Sequence, residues 1–201
     1  MSPYALSATK RVTDVCLGLL TAVLTLPLLL LASVASALSF RAWPFFVQDR
    51  IGKDVEIFRF VKIRSLPESF NPTADKYSVA QSKNTFVGNF LRHTHLDDLP
   101  QLWLVVIGRM SMVGPRPELP SIAARFEPEF FNERSMVRPG VTGLWQLSTG
   151  ASNLIAESPS FDRFYVRNAS FRFDLWLFAQ TIRHQMGGAP LAIDDVSRFS
   201  R

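Results

Sequence analysis

Two adjacent carboxylates, Asp97 and Asp98, stand between Arg92 on one side and Arg116 on the other in the stretch RHTHLDDLPQLWLVVIGRMSMVGPRP. Acids flanked by cations suit a site that handles a phosphate and its metal. A carboxylate near a helix N-terminus stays ionised and can attack phosphorus or bind a divalent cation. Its neighbour, turned about 100° away on a helix, can take the other of those two roles. Arg92 and Arg116 can hold phosphoryl oxygens through their planar forks. Gly114-Pro115-Arg116-Pro117 is stiff on both sides of its arginine, as a preorganised anion clamp should be. A purely structural reading competes: Thr94-x-x-Asp97 resembles a capping box, or Pro100 takes the first helical position with Asp98 or Leu99 as cap. His93 and His95 are either proton shuttles or polar interface residues, since two histidines without a third ligand make a poor metal site.

The elements that must present these residues begin with a membrane segment. From Val15 to Phe40 no charged residue occurs, which is long enough to cross a bilayer core of about 30 Å as one helix. The run is too long for a signal peptide, and the chain after it reads as cytoplasmic. Pro27 lies near its middle and should kink or break the helix, leaving halves of about 18 Å each, too short to cross. Lys10 and Arg11 precede the run, and Arg41, Arg50 and Lys53 follow it. Basic residues on both flanks fit a segment whose ends stay on one face. A kinked spanning helix and a segment that enters and returns both remain open on these residues. Thr25 can re-satisfy backbone carbonyls near the break, and Asp14 can pair with Lys10 or Arg11.

Beyond it, Val55, Ile57, Arg59, Val61 and Ile63 alternate with Glu56, Phe58, Phe60 and Lys62, the period of a strand. With Phe45–Gln48 as a partner and residues 51–54 as the turn, a β-hairpin is expected. Its cations Arg50, Lys53, Lys62 and Arg64 form a solvated face or meet phosphate headgroups. Pro67–Lys83 reads as a polar loop, Phe86–His95 as a helical stretch and Leu102–Ile107 as a buried helix beneath the acids. Ser121–Arg134 reads as one or two surface helices interrupted at Pro128. Trp145 either stacks on a ring or packs in the core. Phe161–Phe178 interleaves aromatics with Arg163, Arg167 and Arg172. Such a pattern can bind single-stranded nucleic acid, but beside a membrane segment it fits amphipathic helices in the interface, so nucleic acid is not an expected partner. Asp162 and Asp174 are arginine partners or helix caps.

Composition bounds these readings. The sequence has 201 residues, 47% of them hydrophobic, with 17 Phe, a net charge of +5 and a pI near 9.8. That length suits one domain with a real core, and the charge favours anionic partners. The single Cys16 excludes an internal disulfide, is expected to be a small buried hydrophobe, and leaves no cysteine cluster for zinc.

The ordered set KRVTD, Pro27, FVQDRIGK, FRFVKIRS, LDDLPQLW, MSMVGPRP, VRPGVTGLWQL and FDRFYVRNASFRFDLWLFAQTI resembles the bacterial sugar transferases known as monotopic phosphoglycosyl transferases, over nearly the whole chain. The resemblance implies transfer of a phospho-sugar from a UDP-sugar to undecaprenyl phosphate, with UMP released and Mg²⁺ required. By the same resemblance the N-terminal segment is re-entrant, Asp97 is the nucleophile and Asp98 helps bind Mg²⁺. Arg92, Arg116 and Arg138 match family arginines that contact phosphate or nucleotide, with Lys62 and Arg64 added as phosphate-binding candidates. Asp98 stands where the family usually keeps Glu, and Leu26 where it keeps a Ser before Pro27. The short form is associated with N-acetylated amino sugars, by analogy only. The expected fold is a mostly helical α+β domain. It comprises a re-entrant membrane helix over residues 1–41, a catalytic domain on the cytoplasmic face of the inner membrane over 42–190 with a small β-hairpin and interfacial amphipathic helices, and a loose tail over 191–201. Inner-membrane lipids are the expected surroundings, and the oligomeric state is open, a homo-oligomer included. The rival from another class is a non-catalytic basic membrane protein that binds anionic lipid or nucleic acid, to which Asp97 would be dispensable.

Overall fold

In the computed structural model, which describes residues 1–68 and 84–200, the charge-free run is part of one helix, α1 (Ala8–Phe40), that continues through Pro27. The Pro67–Lys83 expectation lies mostly outside the described residues. Ser7 caps α1 by accepting from the Lys10 N–H at 3.1 Å. Thr25 donates to the Thr21 carbonyl at 2.7 Å, one turn before Pro27. It therefore does not satisfy the Val23 carbonyl, the one that Pro27, lacking an N–H, leaves without its helical donor.

One narrow stripe of α1 is buried: Lys10, Asp14, Gly18 and Ala22 before the proline, and Ala32, Ser33 and Ser36 after it. The rest of its circumference carries exposed leucines and valines. Cys16 is exposed on that outer surface, contrary to the expectation of a buried thiol, because it falls off the stripe. Gly18 allows close approach to the segment around Val105, since a Cβ there would stand 3.0 Å from Val105 Cγ1.

The hairpin forms as its alternation predicts. Strands β1 (Phe45–Ile51) and β2 (Ile57–Ile63) pair antiparallel, with Phe46 opposite Lys62, Gln48 opposite Phe60 and Arg50 opposite Phe58. Phe58 and Phe60 are buried, so the face they share with Lys62 turns inward. The supposedly solvated cations therefore divide: Arg50 and Lys62 point into the molecule, whereas Lys53 pairs with its neighbour Asp54 at 3.0 Å.

Helices α2 (Phe86–His93) and α3 (Gln101–Val106) flank a one-turn 3₁₀ segment, Leu96–Asp98. The short strands β3 (Ser111–Val113) and β4 (Gly140–Thr142) pair in parallel. Gly140 is required there, because a Cβ would collide with the Gly114 backbone. Helices α4 (Pro120–Ala123) and α5 (Pro128–Ser135) are the interrupted pair, with Pro128 at the start of the second. They are followed by α6 (Leu144–Leu147), α7 (Pro159–Asn168) and α8 (Phe171–Gln185). In α7 and α8, Phe161, Tyr165, Val166, Phe173 and Leu177 are core residues. These aromatics fill the domain interior rather than an interface with lipid, leaving Phe171, Leu175 and Ile182 exposed. The tail is not loose: Leu191 and Val196 are buried, and Phe199 stacks on Phe173 at 4.5 Å.

A buried polar cluster ties the start of α1 to this core. Lys10 Nζ contacts Asp14 at 3.0 Å and Asp174 at 2.8 Å, and donates to the Val113 carbonyl at 3.2 Å. Asp14 also accepts from Ser111 Oγ at 2.8 Å and from the Met112 N–H at 3.0 Å. Tyr165 Oη lies 2.9 Å from Asp174. Asp174 is thus a partner of lysine and tyrosine, not of an arginine. Removing one member of such a cluster leaves a buried charge uncompensated, at a cost of roughly 3–5 kcal/mol. Beyond Pro27, Ser36 Oγ donates to the Arg64 carbonyl at 2.7 Å. Ala32 packs with Ile63 and Leu91. Both ends of α1 are therefore docked on the same domain.

Candidate functional site

Asp97 and Asp98 sit on the 3₁₀ turn between α2 and α3, and the backbone that delivers them is strained. His95, immediately before the turn, has φ 55° and ψ 20°, a left-handed conformation that costs a non-glycine residue roughly 1 kcal/mol. Thr94 Oγ1 donates back to the Phe90 carbonyl at 2.8 Å, so Thr94 closes α2 rather than caps the next helix. The cap position of the turn that carries Asp97 is His95, with no side-chain cap bond, so the capping-box explanation of Asp97 does not apply. Pro100 precedes α3 as its cap residue.

The two carboxylates meet different surroundings. Asp97 is 6% exposed and accepts a hydrogen bond from Ser65 Oγ at 3.1 Å. Asp98, with a side chain 28% exposed, lies 2.5 Å from Lys62 Nζ and accepts from the amide of Gln101. His95 Nδ1 stands 3.8 Å from its second oxygen. Burial, and then the charge of Asp98, push the Asp97 pKa above the ordinary carboxylate value. Burial also acts upward on Asp98, but the Lys62 ammonium, the nearby His95, the Lys62 hydrogen bond and the Arg116 charge outweigh it and hold Asp98 far below that value. His95 is raised in turn, chiefly by the Asp98 carboxylate beside it. Two neighbouring acids whose surroundings push them in opposite directions are a recurring mark of divided chemical roles.

Both acids open into a cavity of about 810 Å³ bordered also by Arg50, Lys62, Arg64, Arg92, Arg116 and Glu118. Arg116 reaches it from a loop held by three contacts. Arg134 Nη2 donates to the Arg116 carbonyl at 2.7 Å while paired with buried Asp162 at 3.0 Å. Arg50 Nη1 donates to the Pro117 carbonyl at 3.0 Å, and the Ile51 N–H to the Glu118 carbonyl at 3.0 Å. The Arg116 side chain is 39% exposed, with Glu118 at 3.6 Å. Arg92 lines the cavity, and its guanidinium makes no hydrogen bond or ion pair with the described residues. Arg64 also lines it, with Nε on the Trp43 carbonyl at 2.9 Å.

Arg138 is not brought to this cavity. Its Nε donates to the Gly108 carbonyl at 2.9 Å, and it borders a separate pocket of about 150 Å³ with Lys53 and Arg109. Trp145 is 5% exposed and donates to Ser158 Oγ at 2.9 Å, the core-packing alternative. Sequence reasoning missed Ser65, Gln101, Glu118 and the inward course of Arg50. Ser65 ends the quoted motif FRFVKIRS, and Arg50 shares the inward face of the hairpin with Lys62, so period-2 bookkeeping on β1 could have found it. No sequence signal marks Glu118.

Among the described residues no group of three or more His, Cys, Asp or Glu side chains is placed to hold a metal. A Mg²⁺ ion needs fewer, because it retains water and shares substrate phosphates. Asp98, ionised, partly exposed and open to a cation-lined cavity, fits that kind of site.

The family model for bacterial sugar transferases matches residues 5–188. The chain is similar to the exopolysaccharide production protein ExoY of Sinorhizobium fredii, 32% identical over 86% of this chain and 83% of the relative. It is similar to the UDP-glucose:undecaprenyl-phosphate glucose-1-phosphate transferase of Escherichia coli, 34% identical over 86% of this chain and 39% of that one. It is also similar to the UDP-galactose-lipid carrier transferase of Erwinia amylovora, 35% identical over 69% of this chain and 32% of the relative. The chain thus spans less than half the length of the last two.

The electrostatics yield a direct expectation. Carbon-13 titration of labelled aspartates should place Asp97 above 3.8 and Asp98 below it. Lys62→Met should move both upward, because the ammonium holds both down. Coincident or inverted titrations would contradict the assignment.

Proposed function

The chain belongs to the bacterial sugar transferase family, and on that premise we propose that it transfers a sugar-1-phosphate from a UDP-sugar to undecaprenyl phosphate, releasing UMP, at the cytoplasmic face of a bacterial inner membrane. The product would feed glycan assembly. The observation that carries this reading is the pair of oppositely shifted acids in one cavity with Lys62, Arg92 and Arg116.

The chemistry is two displacements at one phosphorus. An Asp97 carboxylate oxygen attacks the β-phosphorus of the UDP-sugar. The P–O bond to the α-phosphate breaks, and UMP leaves with the electron pair. The aspartyl phospho-sugar is then attacked at the same phosphorus by an oxygen of undecaprenyl phosphate, which restores the Asp97 carboxylate. A carboxylate of raised basicity is the stronger nucleophile once ionised. Ser65 orients Asp97, while Arg92 and Arg116 hold the phosphoryl oxygens. Asp98 would hold Mg²⁺, which when bound supplies positive charge against the developing charge of the leaving phosphate. Lys62 keeps Asp98 ionised for that task. Arg138, outside the cavity, is proposed for nucleotide contact on the family resemblance alone.

The acceptor stays in the bilayer, so the anchor must keep the cavity at its surface. Helix α1, 33 residues long, is about 50 Å at 1.5 Å per residue, and both its ends dock on one domain. A crossing helix would carry one end to the opposite face, away from that domain. The docking therefore favours a helix that enters the membrane from one side and returns, with its outer leucines in lipid.

Two experiments test this reading. Asp97→Asn should lower UMP release from UDP-sugars, assayed with undecaprenyl phosphate and Mg²⁺, by on the order of 10⁴-fold or more. It should also raise the melting temperature at neutral pH. A group held protonated by the fold contributes stability below its unfolded pKa and loses it as pH rises through the folded one, so ionised Asp97 costs stability. Full UMP release by the variant would contradict Asp97 as the nucleophile, whereas no UMP release by the wild-type chain would leave the non-catalytic binder as the better reading. In a Cys16→Ser background, cysteines at exposed Thr9 and Trp43 should both react with an impermeant maleimide from the cytoplasmic side. Labelling of either from the periplasm would overturn the returning helix.

A further inference from the structure

The pocket of about 150 Å³ outside the aspartate cavity is lined by Lys53, Asp54, Glu56, Gly108, Arg109 and Arg138. Its ion pairs are loose. Lys53 meets Asp54 at 3.0 Å and Arg109 meets Glu56 at 2.8 Å, but both acid side chains are 69% exposed, where water and salt screen the attraction. Arg138 commits only Nε, to the Gly108 carbonyl, so its two terminal nitrogens meet no partner among the described residues. Arg11 stands beside it. The terminal nitrogens of Arg11 donate to the Val105 and Val106 carbonyls, and Nη2 lies 3.2 Å from the point where a Cβ on Gly108 would stand. Burial, and then the charge of Arg138, lower the Arg11 pKa, so the two guanidiniums are near enough to repel. Four cations against two exposed acids make this a place for an anion.

The course of α1 says where that place lies. Asp14 is the last charged residue before the run that starts at Val15, and Arg11 precedes it by three residues, about 4.5 Å along the axis. The headgroup layer on each side of a bilayer core is about 5–8 Å deep, so a pocket beside Arg11 stands at headgroup level. Exposed apolar side chains adjoin its lining residues in the chain. Val55 and Ile57 flank Glu56, and Ile107 precedes Gly108, at 47%, 62% and 67% exposure. Val55 has φ 65°, an outlier for a β-branched residue that persists only where the surroundings hold it. Apolar side chains set beside cations suit the boundary between acyl chains and phosphates. The volume fits one phosphate group and falls short of the roughly 300 Å³ or more that encloses a whole small molecule.

We infer that Lys53, Arg109 and Arg138 hold the phosphate of an anionic phospholipid headgroup, with the tip of the β1–β2 hairpin resting in the bilayer surface. This rests on the proposed placement of α1 in lipid and not on the transfer chemistry. The lipid phosphate meets the terminal nitrogens of Arg138 and takes the place of the exposed carboxylates on Lys53 and Arg109. A zwitterionic lipid brings a choline cation with its phosphate, which the same cluster repels, so the pocket discriminates between the two. Arg138 then serves the membrane, in keeping with its turn away from the aspartates, and not the nucleotide.

The test is native mass spectrometry of the full chain released from nanodiscs of equal parts phosphatidylglycerol and phosphatidylcholine. The wild type should retain phosphatidylglycerol in preference. Lys53→Gln combined with Arg109→Gln should reduce that preference at least about fivefold, the effect of one surface cation on an anionic headgroup. Arg125→Gln, at an exposed arginine outside the pocket, should leave it unchanged. If the double variant melts early, Arg109→Gln alone decides, with a reduction in the same direction expected. In a Cys16→Ser background, a fluorophore on Val55→Cys should report an apolar environment in the same nanodiscs. So should one on Leu24→Cys, an outward residue of α1 that is 69% exposed. Equal retention of the two lipids by the wild type would overturn the inference, as would a preference that survives the pocket variants. Loss of the retained lipid to UMP or to inorganic phosphate would also overturn it, and would give the pocket to the nucleotide or to the free ion. A probe at Val55 in water beside a probe at Leu24 in lipid would sink the inference and leave the placement of α1 standing. Both probes in water would remove the two together.

Discussion

Two carboxylates on consecutive residues repel one another, and a pocket that holds both must separate them electrically. Here the separation comes from one ammonium. Lys62 stands 2.5 Å from Asp98, whereas on Asp97 burial and the Asp98 charge outweigh the same ammonium and the Ser65 hydroxyl. Much of the remaining fold serves to put that ammonium there. Lys62 faces inward because Phe58 and Phe60, on the same face of β2, are buried in the core, and a one-residue slip of the hairpin would turn all three outward. The aspartates arrive from the other side on a turn that His95 enters with a left-handed backbone. Strain of that kind persists only where surrounding contacts over-determine it.

The same logic extends to the anion-binding side. Arg116 owes its place to Arg134, which is buried, paired with Asp162 and bonded to the Arg116 carbonyl. The glycine crossing of Gly140 against Gly114 lets β3 and β4 approach closely enough to start that loop. On the membrane side, Lys10, Asp14 and Asp174 fix α1 to the strand that leads into it. Helix α1 and the Arg116 loop are thus joined through a few residues of β3.

Local periodicity made much of this legible in the sequence. The hairpin, the helix over Leu102–Ile107 and the break at Pro128 all follow from patterns within a few residues. What stayed hidden depends on pairing across distance. Lys62 and Asp98 are 36 positions apart, Arg134 and Asp162 are 28, and Lys10 and Asp174 are 164. The Lys10–Asp14 pair, four residues apart on one helix, is legible in the sequence, but at these longer separations no residue pattern reports which cation meets which acid. Arg138 shows the reverse case, since its motif marks it while the β3–β4 crossing turns it to the other side. Cys16 and the tail were misjudged because burial of one helix face, and docking of residues 191–200, depend on what the rest of the chain leaves uncovered.

The central claim is that Asp97, and not its ionised neighbour, bonds to phosphorus. Intact-mass and peptide-level mass spectrometry of the full chain, incubated with a UDP-sugar and Mg²⁺ but without undecaprenyl phosphate, tests it directly. A mass gain of one phospho-sugar on the peptide carrying Asp97, localised to that residue and discharged by adding undecaprenyl phosphate, is the predicted result. An adduct on Asp98, or steady turnover with no adduct on any carboxylate, would contradict it.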